Sequence, residues 1–272
     1  MEENYPCIGG YLLRRTLLES IFMSKKRKTV LLLLHEGPKD IEYLMEYLDT
    51  TRTALLPQIK VLQDSCLITR EGSRCELTTL GKLVTSEMEP LVSTVATLGS
   101  DLSYWGSHSM DFIPPHLLDR LCELGECRFI KPTINDMMEL NREFMENTYS
   151  SKSLFTITTF LHPNFVEIYS GLADKGVEVS VILFDDLFRK VKKENPEGLR
   201  HLINTVRTKF YVYDRPMNFI TFSVNDHASI FRLLTISGDY DGGQLFASFP
   251  DAVRWGREFF EWYIQDSPPH CG

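Results

Sequence analysis

Apolar residues in the first third of the chain recur at helical spacing. Residues 11–22 read as a helix, and Ser24 is placed to cap a second one that runs through Val30-Leu31-Leu32-Leu33-Leu34 until Gly37-Pro38 stops it. From Asp40 onward, Ile41, Leu44, Met45 and Leu48 fall at i, i+3, i+4 and i+7, which predicts a third helix ending at Asp49-Thr50. Thr50 or Thr51 caps a fourth, in which Leu55, Ile59 and Leu62 form a narrow apolar stripe. Residues 67–78 then offer two β-prone arms around Gly72-Ser73, a short hairpin. Helices joined by a tight turn and followed by a hairpin are the order of a winged helix-turn-helix, mainly α with a β-hairpin wing.

From residue 79 to about 104 the pattern is helical again. Val84, Met88, Leu91, Val95, Leu98, Leu102 and Trp105 step by four and three, the spacing of a heptad seam. Pro90 and Gly99 interrupt it, so a bent helix is expected. Such a stripe pairs two copies of the chain or packs on its own domain, and periodicity leaves both open. After Pro114-Pro115 strands and helices alternate. Strands are expected at 127–131, 153–160 and 177–184, with helices at 134–147 and 163–175 between them, a βαβ arrangement. Charged helices over 185–206, strands at 209–213, 219–224, 229–236 and 245–249, and a helix at 251–264 complete an α/β domain with an antiparallel portion. The predicted division is a winged helix at 1–78, a linking or dimerisation helix at 79–112, and an α/β regulatory domain at 113–272.

Composition narrows the class. Of 272 residues 43% are apolar and 24% charged, an ordinary profile for folded protein and one that excludes disorder and collagen. The longest stretch without Asp, Glu, Lys or Arg, residues 153–166, carries hydroxyls, a His, a Pro and an Asn, so no membrane helix is expected. The acidic start Met1-Glu2-Glu3-Asn4 lacks the layout of a signal peptide, and a cytoplasmic location is expected. Six cysteines without a Cys-x-x-Cys pair read as reduced structural thiols. The net charge of −8 counts against nucleic-acid binding until its distribution is read. Residues 1–104 hold 12 Lys and Arg against 14 Asp and Glu, while residues 105–272 hold 17 against 23, so the acidity lies mainly in the second part.

Residues 51–82 carry five cations (Arg52, Lys60, Arg70, Arg74, Lys82) against three anions, a locally positive patch. Thr51, Arg52, Thr53, Gln58 and Lys60 on the fourth helix, with Arg70 and Arg74 on the hairpin, are therefore the candidate contacts to double-stranded DNA. Arg52 and Gln58 are the side chains there suited to reading bases. Pro57 is expected to bend or delay that helix unless it falls in the first turn. A winged helix that contacts protein rather than DNA remains open, because the helix is weakly charged and holds Leu56-Pro57. No Gly-x-Ser-x-Gly elbow, phosphate loop, dinucleotide turn or His-Glu-x-x-His helix is present, so no catalytic residue, cofactor or metal is assigned. Phe160-Leu161-His162-Pro163, between a strand and a helix, reads as a pocket lip, with Thr159, Phe160, His162 and Asp185 as candidate effector contacts.

Several segments carry a family resemblance: Ser24-Lys25-Lys26-Arg27 before the Leu run, Leu56-Pro57-Gln58-Ile59-Lys60-Val61-Leu62, Leu77-Thr78-Thr79-Leu80-Gly81-Lys82, Tyr104-Trp105-Gly106-Ser107-His108, and Trp255-Gly256-Arg257-Glu258-Phe259-Phe260. The chain resembles archaeal winged-helix transcriptional regulators of methanogens that carry a C-terminal methanogenesis regulatory protein middle domain. Its N-terminal part is also similar to ArsR-type repressors, which implies a homodimer on paired DNA half-sites. It departs from them at Leu56-Pro57 and lacks the paired helix cysteines of ArsR-type metal sensing. The second domain resembles the phospholipase-D-like domains of TrmB-type regulators, which implies a small-molecule effector. Catalysis by that fold needs a His-x-Lys motif, and none of the seven histidines has a lysine two residues on. The resemblance therefore implies a domain that senses a small molecule or a protein partner. The rival expectation is a phospholipase-D-like enzyme or small-molecule-binding protein whose winged helix is an adaptor.

Overall fold

The computed structural model describes residues 15–131 and 140–269. The expected starts of the first helix (11–14) and of the helix at 134, with Cys7, His270 and Cys271, lie outside them. The chain forms two compact units, residues 1–92 and 93–272.

In the first unit α1 (Arg15–Phe22) leads to α2 (Lys25–His35). Ser24 is extended, and its Oγ accepts from the Arg27 N–H, the side-chain cap expected from its type. A two-residue strand β1 (Lys39–Asp40) precedes α3 (Ile41–Tyr47) and α4 (Arg52–Asp64). The hairpin pairs β2 (Ile68–Glu71) with β3 (Arg74–Leu77), Gly72 supplying a φ of +61° at the turn. β1 adds to β3, giving the order β1-β3-β2. Leu55, Ile59 and Leu62 are fully buried against Val30, Leu31, Ile41 and Leu44. Pro57 is the sixth residue of α4, beyond the first turn, and the helix continues through it with the ring exposed.

α5 (Thr79–Gly99) is continuous through Pro90, but it does not reach residue 104 as expected. Asp101 starts a separate helix, α6 (Leu102–Ser107), by accepting the Tyr104 N–H at 2.9 Å. That cap satisfies a donor which a continued helix would have bonded to its own backbone, and the chain breaks there. A one-turn helix α7 (Pro115–Leu118) and a 3₁₀ turn (Leu121–Leu124) follow.

The second unit is built on a seven-stranded mixed sheet. Its strands are β4 (Arg128–Ile130), β5 (Ser153–Thr158), β6 (Glu178–Phe184), β7 (Thr208–Tyr213), β8 (Phe219–Asn225), β9 (Ser229–Leu233) and β10 (Gln244–Ala247). They lie in the order β4-β10-β9-β8-β5-β6-β7, with β5, β6 and β7 parallel and the remaining pairs antiparallel. α8 (Arg142–Tyr149), α9 (Phe165–Asp174), α10 (Asp185–Glu194) and α11 (Pro196–Ile203) pack on one face. α12 (Pro250–Gln265) and the 102–124 segment pack on the other. No described helix is long and apolar enough to cross a membrane. The four described cysteines are free thiols, and burial pushes Cys127 up to about 12.

Trp255 anchors the α12 side. It is fully buried, stacks on Phe259 with ring centroids 5.5 Å apart, and donates its indole N–H to the Leu117 carbonyl at 2.9 Å. Trp255→Ala removes a large aromatic body and leaves that carbonyl bare, a loss of about 3 to 5 kcal/mol. A lowered urea midpoint for the second unit is the expected readout.

Asp226, in the β8–β9 turn, accepts from the Lys152 N–H (2.7 Å), Ser153 Oγ (2.9 Å) and Arg257 (2.5 Å). Burial raises its carboxyl, but these donors, the Arg257 charge and His227 outweigh burial and hold it below the ordinary value. On α12, the Arg120 hydrogen bonds lower Glu258 against a smaller opposing effect of burial. Both folded values lie below the unfolded ones, so the stabilisation is complete above the ordinary carboxylate range and disappears as pH falls through the folded values. A melting-temperature profile against pH is expected to drop in that acid window, and Asp226→Asn to flatten the drop.

Candidate functional site

α4 buries one stripe and leaves Thr51, Arg52, Thr53, Pro57 and Lys60 exposed. Thr51 is extended ahead of the helix, its hydroxyl 3.1 Å from that of Thr53. Arg52 is 3.2 Å from Glu42 and Lys60 3.3 Å from Asp64, pairs with every member more than half exposed. Exposed pairs of this kind are worth about 0 to 1 kcal/mol, so both cations can exchange partners at little cost. Arg74 is exposed at the start of β3.

Two of the candidate contacts are engaged within the unit. Gln58 Oε1 accepts from Ser24 Oγ at 3.1 Å and from Arg27 Nη1 at 3.0 Å, tying the start of α2 to α4. Arg70 is half-buried, and its Nε donates to the Gly72 carbonyl at 2.8 Å, pinning the hairpin turn. Lys26 reaches the Thr50 hydroxyl at 2.8 Å in the turn before α4.

The heptad residues do not share one environment. Met88 is buried in the core of the first unit, with Val84 packed against it. Leu98 packs on the core of the second unit, while Leu91, Val95 and Leu102 are 55%, 60% and 70% exposed.

In the second unit a cavity of about 100 Å³ lies between the sheet and the helices α8 and α9. The strands beneath it explain its chemistry. Along β5, β8 and β9 the residues facing α12 are apolar: Ile157, Phe222, Val224, Phe231 and Leu233. The opposite face of the same three strands presents Thr156, Thr158, Thr221, Ser223 and Arg232, covered by Phe144, Met145, Phe165, Ile168 and Leu172. Polar residues at covered sheet positions cost stability unless they are hydrogen-bonded, and here Thr156 pairs with Ser223, Thr158 with the Phe160 backbone and Thr221 with the Ile157 carbonyl. Thr158, Thr156 and Arg232 are 2%, 5% and 7% exposed. Burial lowers the Arg232 guanidinium and the nearby Tyr240 raises it.

Of the sequence-derived pocket residues, Phe160 and His162 line this cavity. Thr159, Phe160 and His162 also line an adjoining cleft with Asp186 and Lys190, beyond the C-terminal ends of β5 and β6. Asp185 lines neither; it pairs with Arg189 at 2.5 Å on α10. The hydroxyl face and Arg232 were not singled out from sequence, although the alternation Thr221-Phe222-Ser223-Val224 carries the signal of two unlike faces. Among the described residues, no three His, Cys, Asp or Glu side chains gather where they could hold a metal ion.

Two family models match, and they fall on the two units in turn. Residues 15–96 match the N-terminal domain of methanogenesis regulatory protein FilR1, and residues 137–266 match its middle domain. The chain belongs to the FilR1 family of methanogenesis regulatory proteins. Within the family, FilR1 of Methanothrix harundinacea (strain 6Ac) is 23% identical over 253 residues, covering 91% of this chain and 56% of that protein. The chain thus spans little more than half the length of the curated relative it matches. Among solved structures it is similar to TrmBL2, described as an archaeal chromatin protein with a novel mode of DNA binding, at 12% identity and a TM-score of 0.43 over 93% of this chain and 97% of that one. Nuc, a phospholipase D family member from Salmonella typhimurium, is similar at 10% identity and a TM-score of 0.36 over 54% of this chain and 98% of that one.

Proposed function

We propose that the protein is a transcription regulator of methanogenesis genes, with a first unit that binds double-stranded DNA and a second that senses a small molecule. In this reading residues 1–78 are a winged helix-turn-helix with β2 and β3 as its wing. Residues 79–112 link and dimerise it, and residues 113–272 are a phospholipase-D-like sensor without the His-x-Lys motif, acting in the cytoplasm and not as an enzyme.

The observation that carries the reading is the split character of α4. Its apolar stripe is fully buried, while Arg52 and Lys60 stand exposed with weak partners, and Arg74 is exposed on the hairpin. Lys60 and Arg74 so placed suit phosphates rather than bases, so sequence choice would lean on Arg52, Thr51 and Thr53 and on the shape of the duplex. Exposed Leu91 and Val95, one turn apart on α5, support pairing of two copies. A ligand that favours one conformation of such a dimer would shift the population competent to bind DNA.

A mobility-shift titration with DNA from upstream of the protein's own gene tests this reading. Retardation that weakens steeply with salt is expected, and a duplex left unshifted at low salt ends the proposal.

A further inference from the structure

We infer that the cavity between the sheet and α8–α9 binds a small uncharged molecule, its apolar body among the helix side chains and its hydroxyl or carbonyl oxygen against the Thr156–Ser223 pair. The inference rests on the reading of the second unit as a sensor and names the class of effector. The place of the cavity carries it. β8 is the fourth of seven strands, and on its face toward α12 Phe222 and Val224 are fully buried. On the other face Thr221 and Ser223 stay partly exposed, although α8 and α9 lie over them. The helices therefore leave an accessible space above the middle of the sheet, where a strand covered on both faces is ordinarily sealed.

About 100 Å³ is room for several waters, yet little in the lining would hold them. Phe144, Leu154, Phe165, Ile168 and Leu172 form apolar walls, and Thr158 and Thr221 have donated their protons to backbone carbonyls. An apolar body that displaces such waters removes its own surface and that of the walls from water. The polar end is Thr156 and Ser223, directly opposite each other on β5 and β8 with their hydroxyls 3.0 Å apart. One donates to the other; the second keeps a proton, and both oxygens keep a lone pair, so the pair can give and accept a hydrogen bond at once. That capacity suits an alcohol or an amide and favours no ion. The charges agree. Among the described lining residues Arg232 already has a partner and no Asp or Glu stands ready for a cation, so an ion would shed its water for little in return. Tyr169, 8% exposed, is kept a neutral phenol by burial.

Methyl NMR titration of the full chain with cyclopentanol, cyclopentane, cyclobutanecarboxylate and cyclopentylammonium tests the inference. Cyclopentanol is expected to shift the Ile168, Leu172 and Met145 methyl resonances with a dissociation constant on the order of 1 mM or below, and both ions to bind roughly tenfold or more weakly. Thr156→Val with Ser223→Ala is expected to weaken cyclopentanol roughly tenfold relative to cyclopentane, because the hydrocarbon never used the hydroxyls. Should that pair fail to fold by near-ultraviolet circular dichroism, Thr156→Val alone is expected to move the same ratio severalfold. Ile168→Trp fills the cavity and is expected to exclude alcohol and hydrocarbon alike. Methyl resonances unmoved by cyclopentanol, either ion bound as tightly as the alcohol, an alcohol-to-hydrocarbon ratio unchanged by the hydroxyl variants, or cyclopentanol still bound after Ile168→Trp overturns the inference. The titration holds no DNA, so an empty cavity removes the effector site without touching duplex binding, and a failed mobility shift leaves the site in place.

Discussion

Replacing Lys60 and Arg74 together by alanine is expected to lower affinity for duplex DNA of any sequence by roughly tenfold at moderate salt. The slope of log affinity against log salt should flatten by about two, one for each lost phosphate contact. Neither substitution touches the core, since Lys60 is exposed beside Asp64 and Arg74 is exposed on the hairpin. Arg70→Ala is the informative contrast. Its Nε holds the Gly72 carbonyl, so its loss should loosen the hairpin as well as remove a charge. Fluorescence anisotropy across a salt series reads both quantities, and an unchanged slope for the double variant takes Lys60 and Arg74 out of the interface.

Gly81→Ala is expected to destabilise the first unit by about 3 kcal/mol or more, a large share of an ordinary domain's stability. A β-carbon at Gly81 would stand 1.9 Å from the Leu67 carbonyl oxygen and 2.9 Å from its carbon. No rotamer relieves a clash with backbone, and this backbone is held. The Leu67 oxygen accepts from the Thr78 N–H at 3.0 Å, and the Thr78 hydroxyl donates to the Cys66 carbonyl at 2.7 Å while accepting from the Gly81 N–H at 2.9 Å. α5 can therefore start against the hairpin only through a residue without a side chain. Gly99→Ala, with nothing within 4 Å of the added carbon, is the matched control and should leave the urea transition nearly unchanged.

The elements were readable in the sequence where local signals coincide. Ser24, the buried triplet Leu55, Ile59 and Leu62, and the Gly72-Ser73 turn each carry their structure in a few residues. The heptad spacing misled at residue 100, because a single cap from Asp101 breaks a helix whose apolar rhythm runs on unbroken. α7 and the 3₁₀ turn are too short to show a period at all. The cavity was half readable. Phe160 and His162 stand out between a strand and a helix, but the hydroxyls of β5 and β8 look on paper like the wet side of an alternating strand. Only the packing of α8 and α9 against the sheet turns that side into a covered wall.

Gln58 bears on how such a protein could change its targets. By residue type it is a base reader, yet its carbonyl rivets Ser24 and Arg27 to α4. Mutating it in search of a new operator would damage the scaffold. On the proposed reading, drift in target preference passes through Thr51, Arg52 and Thr53, surface positions that can be exchanged while the fold beneath them is inherited intact.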